Sequence, residues 1–175
     1  MTSTTAMLLW AAVPVLLAAV AAKVFRVGTD VGWVDTQRAF DAARSRHTRW
    51  ALRMALTGRR CAVLLRALDT AGLHVGRHLG ECEVPLRRIV GTVGGRQLFD
   101  ARFDPVGAGA WPRYSSVFAA RSGGVDVPPV VLYRAPDGGY YVVDGHHRVA
   151  VARALGDPGI WADVTVLVPD RTAED

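Results

Sequence analysis

Cysteine is scarce in this chain. Cys61 and Cys82 are the only two in 175 residues, too few for a disulfide framework. In a cytoplasmic setting both are free thiols. No internal repeat and no low-complexity block is present, so a repeat architecture is excluded. Acidic residues are outnumbered 16 to 21, which leaves a net charge of +5 and an isoelectric point near 9.9. That balance favours anionic partners: a nucleotide, nucleic acid or the inner-leaflet surface of a membrane.

Charge is missing altogether from Ala6 to Ala22, and this tract raises the mean hydropathy to +0.17. With Val24 and Phe25 it is long enough, as a helix, to approach the ~30 Å of a bilayer core, and Pro14 is tolerated there. A cleaved leader starts with basic residues, and Met1–Thr5 contains none. Residues 1–26 are therefore expected to be a membrane-anchoring apolar helix. Lys23, Arg26 and the arginines beyond predict a single-pass protein with its body in the cytoplasm. A wholly cytoplasmic protein with a buried apolar helix is the alternative.

The rest of the chain holds enough residues for one domain and an extension. After Val27–Gly32, Asp35 is expected to cap a helix running to about Leu56. Its inner stripe is Phe40, Ala43, His47, Trp50 and Met54. A second helix from Arg59 to about Thr70 would complete an Arg-rich hairpin over 33–72. Its face from Arg38 to Arg66 suits solvent or an anionic membrane surface better than DNA, because no aromatics interleave with the arginines. Gly72–Gly80 reads as a loop. His74, His78 and Cys82 recur at intervals of four, but Gly72, Gly76 and Gly80 break any helix that would align them on a metal, so none is assigned. A tail follows from Pro169.

Chemistry concentrates near the end of the chain. Tyr140-Tyr141-Val142-Val143 reads as a strand, Asp144-Gly145 as a turn, and His146 to Leu155, followed by Gly156, as a helix with its stop. Such a turn exposes backbone N–H groups at the positive end of a helix, a site for phosphate. Gly145 permits close approach, and Arg148 can fork onto phosphate oxygens. His146 or His147 supplies a donor or a proton shuttle, and Asp144 a carboxylate for a metal or a hydroxyl. The plain alternative is a strand–helix turn capped by Asp144. The Gly-rich turn Gly91–Arg96, with Arg96, is either a second wall of the pocket or an ordinary β-turn.

From about Glu83 to Leu167 the chain resembles the ParB/sulfiredoxin superfamily. The resemblance rests on the strand Val84–Val90, a helix near Trp111–Arg121, the strand Val127–Tyr133, the Asp144–Arg148 turn and the last strand Ile160–Leu167. It implies an α+β fold over 81–168, a small mixed sheet with flanking helices. It also implies nucleotide phosphates at the turn, from CTP, ATP or ADP, with Mg²⁺ as a companion and homodimerisation as in relatives that sense nucleotides. His146 stands where sulfiredoxins have their catalytic cysteine, so sulfinic-acid repair is not expected. Partition proteins carry a helix-turn-helix module downstream, and this sequence ends soon after the turn, so DNA is the lesser partner. The turn is most similar to that of free serine kinases, with His147 in place of a threonine. Those enzymes need an upstream carboxylate base, and here only Asp100 and Asp104 are candidates. The functional expectation is nucleotide binding with hydrolysis or small-molecule phosphotransfer. The alternative is a non-catalytic DNA- or protein-binding module of the same fold.

Overall fold

A computed structural model describes residues 32–59, 65–94 and 98–170. The tract Ala6–Ala22 lies outside them. Among the described residues no helix is long and apolar enough to cross a membrane.

The architecture is the α+β one expected: a six-stranded mixed sheet with flanking helices. Helix α1 covers residues 32–56. The strands are β1 (Arg66–Ala67), β2 (Leu73–Pro85), β3 (Ile89–Thr92), β4 (Val130–Arg134), β5 (Tyr140–Asp144) and β6 (Gly159–Pro169). Helix α2 (Trp111–Ser122) precedes β4, and α3 (His146–Leu155) joins β5 to β6. The sheet order is β1-β3-β5-β4-β6-β2. The pairs β1–β3, β3–β5 and β4–β6 are parallel, and β4–β5 and β2–β6 antiparallel. Helices α2 and α3 pack on each other, and the sheet residues Val130, Leu132, Val142 and Val164 join Tyr114, Val149 and Val151 in the core. Burying such aliphatic side chains contributes ~1.5–3 kcal/mol each.

Three expectations for the first half are corrected. Asp35 does not cap α1; it sits inside a helix already under way at residue 32 and pairs with Arg38 at 3.6 Å. No second helix runs to Thr70 in the described part of 59–70: Arg66–Ala67 is a strand, and residues 60–64 lie outside the description. Pairing with Gly91 and Thr92 overrides the helical propensity of that Leu- and Arg-rich segment. Gly91 makes this approach feasible, since a Cβ there would strike the Arg66 carbonyl oxygen and come within 2.8 Å of the Tyr141 ring.

Residues 73–80 are likewise not a loop. They begin the long strand β2, whose pairing with β6 shifts register between Val75 and His78 and again between His78 and Gly80. Gly80, at φ +78°, marks a bulge rather than a break. The sheet therefore starts well before residue 81. On β2, His74 Nδ1 lies 2.9 Å from Asp170 and His78 Nδ1 lies 3.2 Å from the Thr165 hydroxyl.

Candidate functional site

Strand β5 enters α3 through Gly145, whose φ of +101° is a conformation that a residue with a Cβ rarely adopts. Space requires glycine as well: a Cβ would come within 2.7 Å of Val130 Cγ1 and 3.0 Å of Arg148 Nε and Nη2. Here Gly145 makes room for the chain's own guanidinium. The first intrahelical bond runs from Val149 N to Gly145 O at 3.0 Å, and no side chain caps the helix. The amides of His146, His147 and Arg148 thus precede the helical ladder, as the first N–H groups of any helix do. Asp144 is not the cap. Its carboxylate, 70% exposed, instead accepts a 2.5 Å bond from Arg148 Nη2.

Arg148 itself is mostly buried. Its Nη1 donates to the carbonyls of Pro128 at 2.6 Å and Pro129 at 2.5 Å. The guanidinium sits behind the turn, joining the start of α3 to the segment that feeds β4. Its fork geometry is suited to holding several acceptors together.

The residues of this turn line an open cleft of about 1020 Å³, whose opposite wall is the first half of α2 with Pro112, Arg113 and Ser116. Leu98, Phe99, Val117 and Val143 supply apolar lining. Gly94, within the Gly-rich turn, also lines the cleft; Arg96 lies outside the described residues. Arg113 is a cleft residue that sequence reasoning missed. Its signal was Pro112, a residue type suited to the first position of a helix, which places Arg113 on the opening turn.

Both imidazoles are held by named neighbours. His146 Nε2 lies 2.7 Å from the Thr92 hydroxyl, which is itself 2.8 Å from the Gly94 carbonyl and 3.2 Å from that of Val142. The Thr92 hydroxyl thus ties the His146 ring to the end of β3 and to β5. Phe103 stacks on the His146 ring at 6.4 Å. Burial lowers the His146 pKa, against a weaker opposing pull from Asp144. His147 stands edge-on to Phe99 at 5.0 Å. Burial first, then the charges of Arg113 and His146, push its pKa down to about 4. Both shifts favour the uncharged form of the ring.

Asp100 and Asp104 are not in the cleft. Asp100, with its side chain wholly buried, accepts from His47 Nδ1 at 2.9 Å and from the amides of Arg102 and Asp104. Asp104 takes both Nε and Nη2 of Arg46, the latter at 2.7 Å. Burial raises its pKa even so. These carboxylates tie α1 to the loop 98–105, and neither is placed to act as a base on a ligand. Among the described residues lining the cleft, Asp144 is the one carboxylate. Among the described residues no group of three or more His, Cys, Asp or Glu is placed to hold a metal.

No protein-family model and no curated protein matches the chain. Among solved structures, the chain is similar to the sulfiredoxin of Arabidopsis thaliana. The two share 26% identity over 48% of this chain and 82% of that one, with a TM-score of 0.32.

Proposed function

We propose that the cleft between α2 and α3 binds a nucleotide through its phosphates. The observation that carries this reading is the uncapped start of α3: the amides of His146 to Arg148 lie at a helix mouth whose residues line a large cleft. The macrodipole favours an anion there. Arg113 supplies a cation from the facing helix. The two neutral imidazoles add donors without filling the site with charge, and Leu98, Val117 and Val143 offer an apolar bed for a base. The Asp144–Arg148 ion pair is internally neutral, so it neither repels nor captures the phosphates.

Binding is better supported than turnover. Phosphoryl transfer needs an acceptor-positioning base, and the one carboxylate in the cleft is tied to Arg148. If hydrolysis or transfer occurs, His146 is the group available for proton movement, held in place by Thr92. Asp144 would become a second such group only after release from Arg148.

The test is thermal unfolding with CTP, ATP, ADP, GTP and inorganic triphosphate, with and without Mg²⁺. A ligand at about 100 times its Kd stabilises by ~2.7 kcal/mol, a rise of roughly 5–10 °C for a chain of this size. Arg113→Glu should weaken the effect roughly tenfold in Kd, by removing a charge-assisted bond. If neither a nucleotide nor triphosphate moves the midpoint, the reading fails. The rival, a non-catalytic module for DNA or a protein, would then take its place.

A further inference from the structure

The inner side of α1 is firmly docked. Phe40 meets Trp111 and Tyr114 edge-on at 5.1 Å each, and Arg46 and His47 reach the buried carboxylates of Asp104 and Asp100. The helix therefore cannot roll, and its opposite side is presented outward. At ~3.6 residues per turn, Asp35 and its ion-pair partner Arg38 share that outward arc with Ser45, Arg49, Leu52, Arg53 and Leu56. Leu52 and Leu56 are 61% and 81% exposed.

From residue 42 to 59 the chain has Arg44, Arg46, Arg49, Arg53 and Arg59 and no carboxylate. Of these only Arg46 forms an ion pair among the described residues. Exposed leucines alone are ordinary. Leucines bracketed by unpaired arginines on one rigid helical face have the composition of a helix that lies in a membrane interface. The uncharged tract Ala6–Ala22 ends ten residue steps before Gly32, which at full extension allows a separation of at most ~36 Å.

We propose that the outward face of α1 lies on an anionic phospholipid surface, with Arg49 and Arg53 at the headgroups and Leu52 and Leu56 entering the interface. The proposal takes the tract Ala6–Ala22 as embedded in the same bilayer, and it is independent of what the cleft binds. Duplex nucleic acid would use the arginines but gain nothing from two protruding leucines, so lipid is the occupant that fits the whole face.

The experiment uses the full chain with Cys61→Ser and Cys82→Ala, spin-labelled at Ser45→Cys. It is bound to vesicles of phosphatidylcholine, alone or mixed with phosphatidylserine. On the mixed vesicles the label should be shielded from a water-soluble nickel chelate and open to dissolved oxygen. On phosphatidylcholine alone, or at raised salt, it should return to water. Arg49→Gln with Arg53→Gln should shift the helix roughly 30-fold toward its lifted position. Four results would overturn the proposal: equal label accessibility on both lipids, shielding that survives the double substitution, failure of the full chain to bind vesicles, or duplex DNA binding that the double substitution abolishes. The last would make nucleic acid the occupant.

Discussion

Arg148 separates two accounts of the turn, and substituting it distinguishes them. In the structure its guanidinium bridges the carbonyls of Pro128 and Pro129 and the Asp144 carboxylate. Hydrogen bonds to a charged group contribute ~1.5–3 kcal/mol each. The bond to Pro128 and the pair with the largely exposed Asp144 must be discounted for solvent screening. About 2 kcal/mol for the Pro129 bond and about 1 kcal/mol for the other two together give a loss of ~3 kcal/mol in Arg148→Ala. That corresponds to a fall of roughly 6–12 °C in the unfolding midpoint without ligand. Arg148→Lys should lose most of the same amount, because one ammonium cannot hold three divergent acceptors. The assay is thermal unfolding without ligand, followed by nucleotide titration of the Lys variant well below its midpoint. If Arg148 clamps the protein to itself, the midpoint drops and Kd changes no more than about threefold. If it grips phosphate directly, the midpoint barely moves and Kd rises tenfold or more, as expected for a lost charge-assisted bond. The second pattern would refute the clamp.

Stability should also depend on pH through His147. Its folded pKa of about 4 lies below the unfolded value near 6.5, so the unfolded chain binds more protons between those limits. Its contribution is complete above pH ~6.5 and is lost as pH falls toward 4, on the order of 2 kcal/mol after discounting for partial exposure. His147→Gln should flatten that part of the profile in urea titrations run across this range. Gly91→Ala should cost ~2 kcal/mol or more, because the new methyl meets the Arg66 carbonyl and the Tyr141 ring; denaturant midpoints test it. Tyr114→Phe should be neutral or stabilising by up to ~1 kcal/mol, since the buried hydroxyl has no hydrogen-bond partner among the described residues. A loss above ~1 kcal/mol on the same assay would mean that the hydroxyl is satisfied.

The second half of the chain was legible because its signals are local. Tyr140–Val143 is a short β-favouring run, Gly145 and Gly156 punctuate α3 with positive φ, and Ile160–Val164 alternates as a strand should. The first half resisted because its partners are distant in sequence. Strand β2 is defined by β6, and its glycines resemble breaks until the bulges that they serve are seen. Strand β1 is two residues long and exists through contact with β3. The turn's composition pointed to a phosphate site, but no sequence signal assigned Arg148 to Pro128 and Pro129, twenty and nineteen positions upstream. Asp100 and Asp104 had the composition of a base pair of carboxylates; only their neighbours Arg46 and His47, on another element, show them to be ties.

Those ties extend to the cleft. Loop 98–105 is held on one side by α1, through Arg46–Asp104, His47–Asp100 and the Arg102 guanidinium 4.2 Å above the Trp50 ring. On the other side Arg153 of α3 donates to the Arg102 carbonyl at 3.1 Å and lies 4.9 Å from the Phe103 ring. Phe103 adopts φ +62°, a conformation that costs a bulky residue ~1–3 kcal/mol unless its surroundings over-determine it. Here they do, for its buried ring is packed between Arg153 and His146, while Phe99 of the same loop abuts His147. The two rings that hold the imidazoles are thus carried by a loop whose far side is pinned to α1. Helix α1 and the cleft are therefore joined by one continuous set of contacts through loop 98–105, and α1 belongs to the architecture of the site.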